Sequence, residues 1–370
     1  MEKNIAESQK VKSNNKIDLI EKEFLLGINP DGVLPTNRIM KAMQISKPGG
    51  DFELVNKEIP NPKENEVLIK VHACGVCHGE AVTKDGYFPG IKYPRIPGHE
   101  VIGTIDKLGS RVDNWKVGQR VGVGWHAGHC MKCDSCRRGD FWACENSLTT
   151  GVSTDGGYAE YMIARSEVLV SIPEELDSIE AAPLVCAGRT SLGALQHCGA
   201  KGGDLVAIHG LGGLGHLAVQ YGRKLGFKVV VLSHSKEKEE LAYKLGAHVY
   251  IDTNTTDAAK ELKKMGGAQA IICFAPNAKA ISGLLYGLKH DGKLVIVTAV
   301  GEPIQINGNL LFGGASVGGF AQGNIEDTLR FSTLTNVIPM VEVFPLEQAA
   351  EAYNKMMTSK VHFRAVLKIN

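Results

Sequence analysis

The chain has 370 residues, too many for one ordinary domain and enough for two with sizeable cores. Its 41 Lys and Arg stand against 40 Asp and Glu, so no charge surplus points to nucleic acid or an anionic membrane as a partner, and small-molecule chemistry is the default. No run approaches ~18 consecutive apolar residues, which excludes an expected membrane span, and nine cysteines in mostly metal-like spacings suit a reducing, cytoplasmic setting better than a disulfide framework.

Residues 1–37 read as a separate N-terminal extension. Ile17, Ile20 and Phe24 fall on one helical face, Gly27 supplies a stop, and the turn-rich INPDGVLPTNR follows. The expected role is an arm packing on its own protein or a neighbouring subunit. Glu2, Lys3, Glu7, Lys10 and Lys12 break any apolar core of a signal peptide.

From Arg38 the pattern changes to short alternating strands punctuated by Gly and Pro, such as Val67–Val71 and Gly118–Val123, and predicts a β-rich, barrel-like lobe over residues 38–186. Three of its segments carry chemistry: VHACGVCHGE with Cys77 and His78, IPGHE with His99 and Glu100, and PLVCAGRTS with Cys186. One His and two Cys from distant segments can make a zinc site with an open fourth position, the arrangement of a catalytic metal. Cys74 and Cys77 also spell C-x-x-C, but no thioredoxin-like context surrounds them, and oxidation would consume a candidate ligand.

Between these segments lies GHCMKCDSCRRGDFWAC, which places Cys130, Cys133, Cys136 and Cys144 at C-x2-C-x2-C-x7-C spacing. Four thiolates so close along the chain can converge on one tetrahedral zinc that leaves no position for substrate, so this site is expected to hold a lobe in shape. Lys132, Arg137 and Arg138 flank it and offset its negative charge.

After residue 187 apolar strands alternate with helical segments: LVAIHG, KVVVLS, VYID, AIICFA and KLVIVTAV. This predicts a doubly wound parallel sheet, a Rossmann domain over residues 187–316. The first strand runs into Gly210-Leu211-Gly212-Gly213-Leu214-Gly215, and a helix follows directly, the full context that a dinucleotide turn requires. The second strand ends in Ser233-His234-Ser235-Lys236 where an NAD-selective site would place Asp or Glu, and these residues suit a 2′-phosphate, which leans the cofactor toward NADP. Residues 317–370 are expected to return to the first lobe, with a helix at Leu346–Thr358 and a strand at Arg364–Ile369. Cys198 and Cys273 read as small buried apolar residues.

GVCH, PGHEVIG, the four-cysteine loop, DGGYAEY, PLVCAG and GLGGLGHLAVQ occur in the order seen in zinc-dependent medium-chain alcohol dehydrogenases, which the chain resembles over roughly residues 38 to 370. It resembles the microbial tetrameric type and its cinnamyl alcohol dehydrogenase relatives, since the stretch from Cys144 to Asp155 is short. The resemblance implies a GroES-like catalytic domain beside the Rossmann domain, two zinc ions per chain, hydride transfer between an alcohol or aldehyde and NAD(P), and a homotetramer. It also implies Cys77, His99 and Cys186 as catalytic zinc ligands, Glu100 as a carboxylate able to approach the metal, and Glu80 as the support of His99. His78 and Arg364 match pyrophosphate-contacting positions, and Thr190 a neighbour of the nicotinamide. Trp125, Tyr87 and Phe88 match walls of the alcohol pocket, or serve as core.

The chain departs from the family at three positions. Gly79 stands where a Ser or Thr normally takes the alcohol proton, and Val82 where many relatives have a relay His; water is expected to fill a gap beside Gly79. Arg189 replaces a commonly apolar residue, and either favours an anionic or strongly polar substrate or pairs with a carboxylate. Two other readings of the same architecture are a zinc-free quinone or enone reductase, disfavoured by Cys77, His99 and Cys186, and a non-catalytic nucleotide-binding redox sensor, suggested only by the missing relay.

Overall fold

The structure, a computed structural model, describes residues 38–320 and 322–370. The helix and turn expected within residues 1–37 lie outside the described residues. Chain contacts divide into two units: in the smaller, Ile59 donates its amide to the Arg38 carbonyl at 2.8 Å, and the larger holds residues 41–56 and 60–370.

Within the larger unit, Leu205–His209 is buried at all five positions, the signature of a strand covered on both faces. It lies inside a six-stranded sheet ordered Val249–Asp252, Lys228–Ser233, Leu205–His209, Ala268–Cys273, Leu288–Ile296, Ser316–Gly319. Every pairing in that sheet is parallel. Side chains alternate between its faces, so Val206 and Ile208 join one apolar cluster with Leu217 and Tyr221, while Leu205 and Ala207 join another with Leu262 and Ile281. The sheet takes in Ser316–Gly319 and so continues past the boundary expected at residue 316.

The β-rich lobe is built around the long strand Glu66–Val76, which pairs antiparallel with Val101–Leu108 on one side and with Arg364–Lys368 on the other. Gly103 permits that first pairing, because a Cβ there would come within 2.4 Å of the Lys70 carbonyl oxygen. The C-terminal strand thereby brings Arg364 to the end of Glu66–Val76, with Ala365 opposite Val76 and Arg364 level with Cys77 in the continued register.

A continuous helical stretch joins the lobes. Asp177 caps it by accepting from the Ile179 amide at 2.7 Å, Ser178–Pro183 is α-helical, Leu184–Gly188 widens to a π turn, and Arg189–Gln196 resumes the α-helix. Single π turns often mark functional positions, and this one carries Cys186.

Tyr221, on the helix after the glycine turn, donates to Ser332 Oγ at 2.7 Å, and Ser332 in turn donates to the Thr328 carbonyl. Both hydroxyls are buried, so Tyr221→Phe should lower unfolding stability by about 1 kcal/mol. Urea denaturation checks this; an unchanged midpoint would show that the bond makes no net contribution.

Candidate functional site

Cys77 begins the 3-10 turn His78–Glu80 that ends the long strand, and its amide donates to Glu80 Oε2 at 2.6 Å. The other oxygen of Glu80 lies 2.7 Å from His99 Nδ1, with both side chains buried. That contact orients the ring so that Nε2 lies 3.4 Å from Cys186 Sγ. Ligand atoms of Cys77, His99, Glu100 and Cys186 all lie within 4.8 Å of one another.

Glu100 is fully buried and accepts from Arg364 Nη2 at 2.6 Å on each oxygen. Gly75 leaves the space for this carboxylate, since a Cβ there would approach Glu100 Oε2 to 1.9 Å. Burial pushes the Glu100 carboxyl up to about 8 against the pull of Arg364. Burial also opposes a charged His99, but Glu80 and Cys77 outweigh it, so this imidazole titrates well above its usual range. The hydrogen bond from Cys186, helped by His99, holds the Cys77 thiol well below its ordinary value.

The second cluster is closed. Cys130 and Cys136 sulfurs lie 4.0 Å apart and those of Cys133 and Cys144 3.9 Å apart, close to the ~3.8 Å edge of a tetrahedron with ~2.3 Å zinc–sulfur bonds. Amides of Lys132 and Cys133 point at Cys130 Sγ, and those of Cys130 and Asn146 at Cys144 Sγ. The first two draw the Cys130 thiol down to about 6. All nine cysteines are free of disulfides.

At the glycine turn, Gly210 has φ +97°, and a Cβ on Gly215 would come within 1.9 Å of the Gly210 carbonyl oxygen. Gly213 faces the Arg364 side chain, and Ser191 donates to the Leu214 carbonyl at 3.1 Å. Gly212 has open space where a side chain would stand, as a close-approaching pyrophosphate needs. Ser233 is buried, Ser235 half-buried, and His234 and Lys236 exposed, with Tyr250 Oη donating to the Ser235 carbonyl. Lys238, which the sequence did not single out, donates to the Leu211 carbonyl at 3.1 Å and ties this loop to the turn. His78 is exposed, Thr190 is buried, and Arg364 is engaged by Glu100 beside Gly213.

Trp125 packs edge-on against the His99 ring with centroids 4.7 Å apart, whereas Tyr87 and Phe88 are 68% and 49% exposed. Arg189 is 6% exposed with its guanidinium over the Trp142 ring at 5.0 Å, which links the helix after Cys186 to the four-cysteine loop. The water-filled gap expected beside Gly79 is not there. A Cβ would stand 2.9 Å from both His99 Cε1 and Trp125 Cζ3, so the indole and imidazole rings occupy that place.

Residues 63–174 match the family model of the alcohol dehydrogenase GroES-like domain and residues 213–340 that of the zinc-binding dehydrogenase. An alcohol dehydrogenase of Penicillium expansum is 43% identical over 323 residues, spanning 86% of this chain and 94% of that protein. One of Geobacillus stearothermophilus is 39% identical over 337 residues, spanning 89% and 99%. Among solved structures, a cinnamyl alcohol dehydrogenase from Sorghum bicolor superposes with a TM-score of 0.80 at 28% identity, covering 90% of this chain and 98% of its own.

Because Gly79 has no free volume, Gly79→Thr should displace the Trp125 indole and destabilise the fold by about 1–3 kcal/mol through overpacking. Tryptophan emission and thermal unfolding check this. Unchanged emission and unchanged stability would show that the site has room for a side chain after all.

Proposed function

Since the chain belongs to the zinc-binding, GroES-like family of alcohol dehydrogenases, we propose that it interconverts an alcohol with its aldehyde or ketone by hydride transfer to and from NAD(P), with one catalytic and one structural zinc per chain. The observation that carries this reading is the convergence of Cys77, His99, Glu100 and Cys186 from three separate segments within 4.8 Å. Two thiols, an imidazole Nε2 whose other nitrogen is held by Glu80, and a buried carboxylate form a donor set suited to zinc. The four thiols of Cys130, Cys133, Cys136 and Cys144 suit a second, closed zinc.

Zinc at the open site would supply Lewis acidity that eases loss of the alcohol proton. The chain's residues do the rest. Glu80 orients His99, Arg364 keeps Glu100 in reserve beside the cluster, and Trp125 covers the His99 ring and narrows the space for substrate. The glycine turn accepts a pyrophosphate at the start of the helix Gly215–Lys224, and Thr190 lies on the helix that touches Leu214. Neither Gly79 nor Val82 offers a hydroxyl or an imidazole, so the proton passes to no side chain at these two positions.

In this reading residues 38–186 and the returning C-terminal strand hold both metals, and the parallel sheet holds the dinucleotide. A homotetramer and a cytoplasmic location belong to the same proposal and rest on the resemblance. No helix among the described residues is long and apolar enough to cross a membrane. NADP is the proposed cofactor, because Ser233 stands at the end of the second strand where a carboxylate would accept from the ribose.

The test is NADPH and NADH consumption against a panel of aliphatic and aromatic aldehydes, alongside zinc analysis. Cys186→Ser should abolish turnover yet leave a stable protein, whereas Cys133→Ser should lose zinc, thermal stability and solubility, because the closed site folds around its ion. Full zinc and an unchanged Tm in Cys133→Ser would sink the structural assignment.

Cofactor choice has a separate measurement. Ser233→Asp places a negative charge against the 2′-phosphate and should shift the kcat/KM ratio toward NADH by about tenfold or more, ~1.4 kcal/mol. Wild-type preference for NADH would refute the NADP assignment.

A further inference from the structure

Two histidines flank the glycine turn, and their surroundings are opposite. His216 is fully buried with both nitrogens engaged: Nδ1 donates to the Gly212 carbonyl at 3.1 Å, and Nε2 accepts from the Met340 amide at 3.2 Å. Its role is to brace the turn. His209 is 8% exposed, and its Nδ1 has no hydrogen-bond partner among the described residues. A buried polar nitrogen without a partner is costly, and such a group persists where something outside the chain completes it.

The position of His209 says what that is. It is the last residue of Leu205–His209, the strand that lies between Lys228–Ser233 and Ala268–Cys273. From there the chain builds the sheet outward in one direction and then in the other, so His209 stands at the carboxyl end of a strand at the point where the winding reverses. Open α/β sheets take their ligands at that point. In register, His209 lies beside Leu232 and Cys273, and Ser233 follows Leu232 directly. Gly210, with φ +97°, turns the backbone away immediately after it. Burial, and then the neighbouring His234, lower the His209 imidazole to about 4, so near pH 7 the ring is neutral, with one N–H donor and one acceptor nitrogen.

We propose that His209 is a cofactor-recognition residue whose ring nitrogens hydrogen-bond the adenosine moiety of the bound dinucleotide. This rests on the reading of the glycine turn as a dinucleotide site. An uncharged ring cannot neutralise a 2′-phosphate, so His209 contributes to affinity for both cofactors, while Ser233, His234, Ser235 and Lys236 set the choice between them.

The experiment uses the full-length protein and two probes that lack the nicotinamide, AMP and 2′,5′-ADP, with affinities measured by calorimetry. His209→Phe keeps the ring and removes both nitrogens. It should weaken both probes by a similar factor, on the order of tenfold, with zinc content and thermal stability retained, and His209→Asn should recover part of the loss. Wild-type affinity for AMP in folded His209→Phe would overturn the proposal, and so would a loss confined to 2′,5′-ADP. If the Phe variant does not fold, His209→Asn and His209→Leu carry the comparison: tighter AMP binding by Asn supports the proposal, and equal binding overturns it. A wild-type protein that binds neither AMP nor NADPH would instead overturn the dinucleotide reading itself.

Discussion

Arg364 donates to both carboxyl oxygens of Glu100 at 2.6 Å where solvent scarcely reaches, and each side chain satisfies the other's buried polar atoms. Removing one partner of a buried ion pair typically costs about 3–5 kcal/mol, because the other is left uncompensated. This pair sets several distances at once. Arg364 belongs to the C-terminal strand, Glu100 follows His99, Gly75 on the long strand makes room for the carboxylate, and Gly213 of the glycine turn faces the guanidinium. One contact therefore ties the C-terminal strand, the cluster of Cys77, His99 and Cys186 and the turn of the parallel sheet into a common frame.

Around that frame the polar groups are ordered by what each already holds. Glu80 accepts from the Cys77 amide with one oxygen and sets the other 2.7 Å from His99 Nδ1, which turns Nε2 of that ring toward Cys186 Sγ. In the four-cysteine loop the same ordering is done by backbone amides, which point at Cys130 and Cys144, and those of Lys132 and Cys133 draw the Cys130 thiol down. The Arg189–Trp142 stack links the two arrangements, since Arg189 follows Cys186 on one helical stretch and Trp142 lies in the four-cysteine loop.

Close packing, more than flexibility, explains the glycines that matter most. Gly75, Gly79 and Gly215 have no positive φ; each is required by what a Cβ would strike, a carboxylate, two rings and a backbone carbonyl respectively. At Gly79 this reverses the expectation from the missing hydroxyl. The absent side chain does not leave room for water, because Trp125 and His99 have closed the space.

Spacing alone determined the features that depend on neighbours in the chain. The four cysteines of one short loop, the strand–glycine–helix run at residues 205–224 and the apolar strands of the parallel sheet were legible because each is a local pattern with a local physical cause. Cys77, His99 and Cys186 could be grouped from residue type and from family resemblance, but nothing along the chain says that three distant segments meet. Tertiary structure decided what long-range packing decides: Glu80 against His99, Arg364 on Glu100, Arg189 on Trp142, Lys238 on the turn, the sixth strand at Ser316–Gly319 and the burial of His209 Nδ1 with no hydrogen-bond partner among the described residues. Those relations depend on which surfaces are brought within about 4 Å of each other and sealed from water, and burial of that kind is a property of the folded whole that no window of sequence contains.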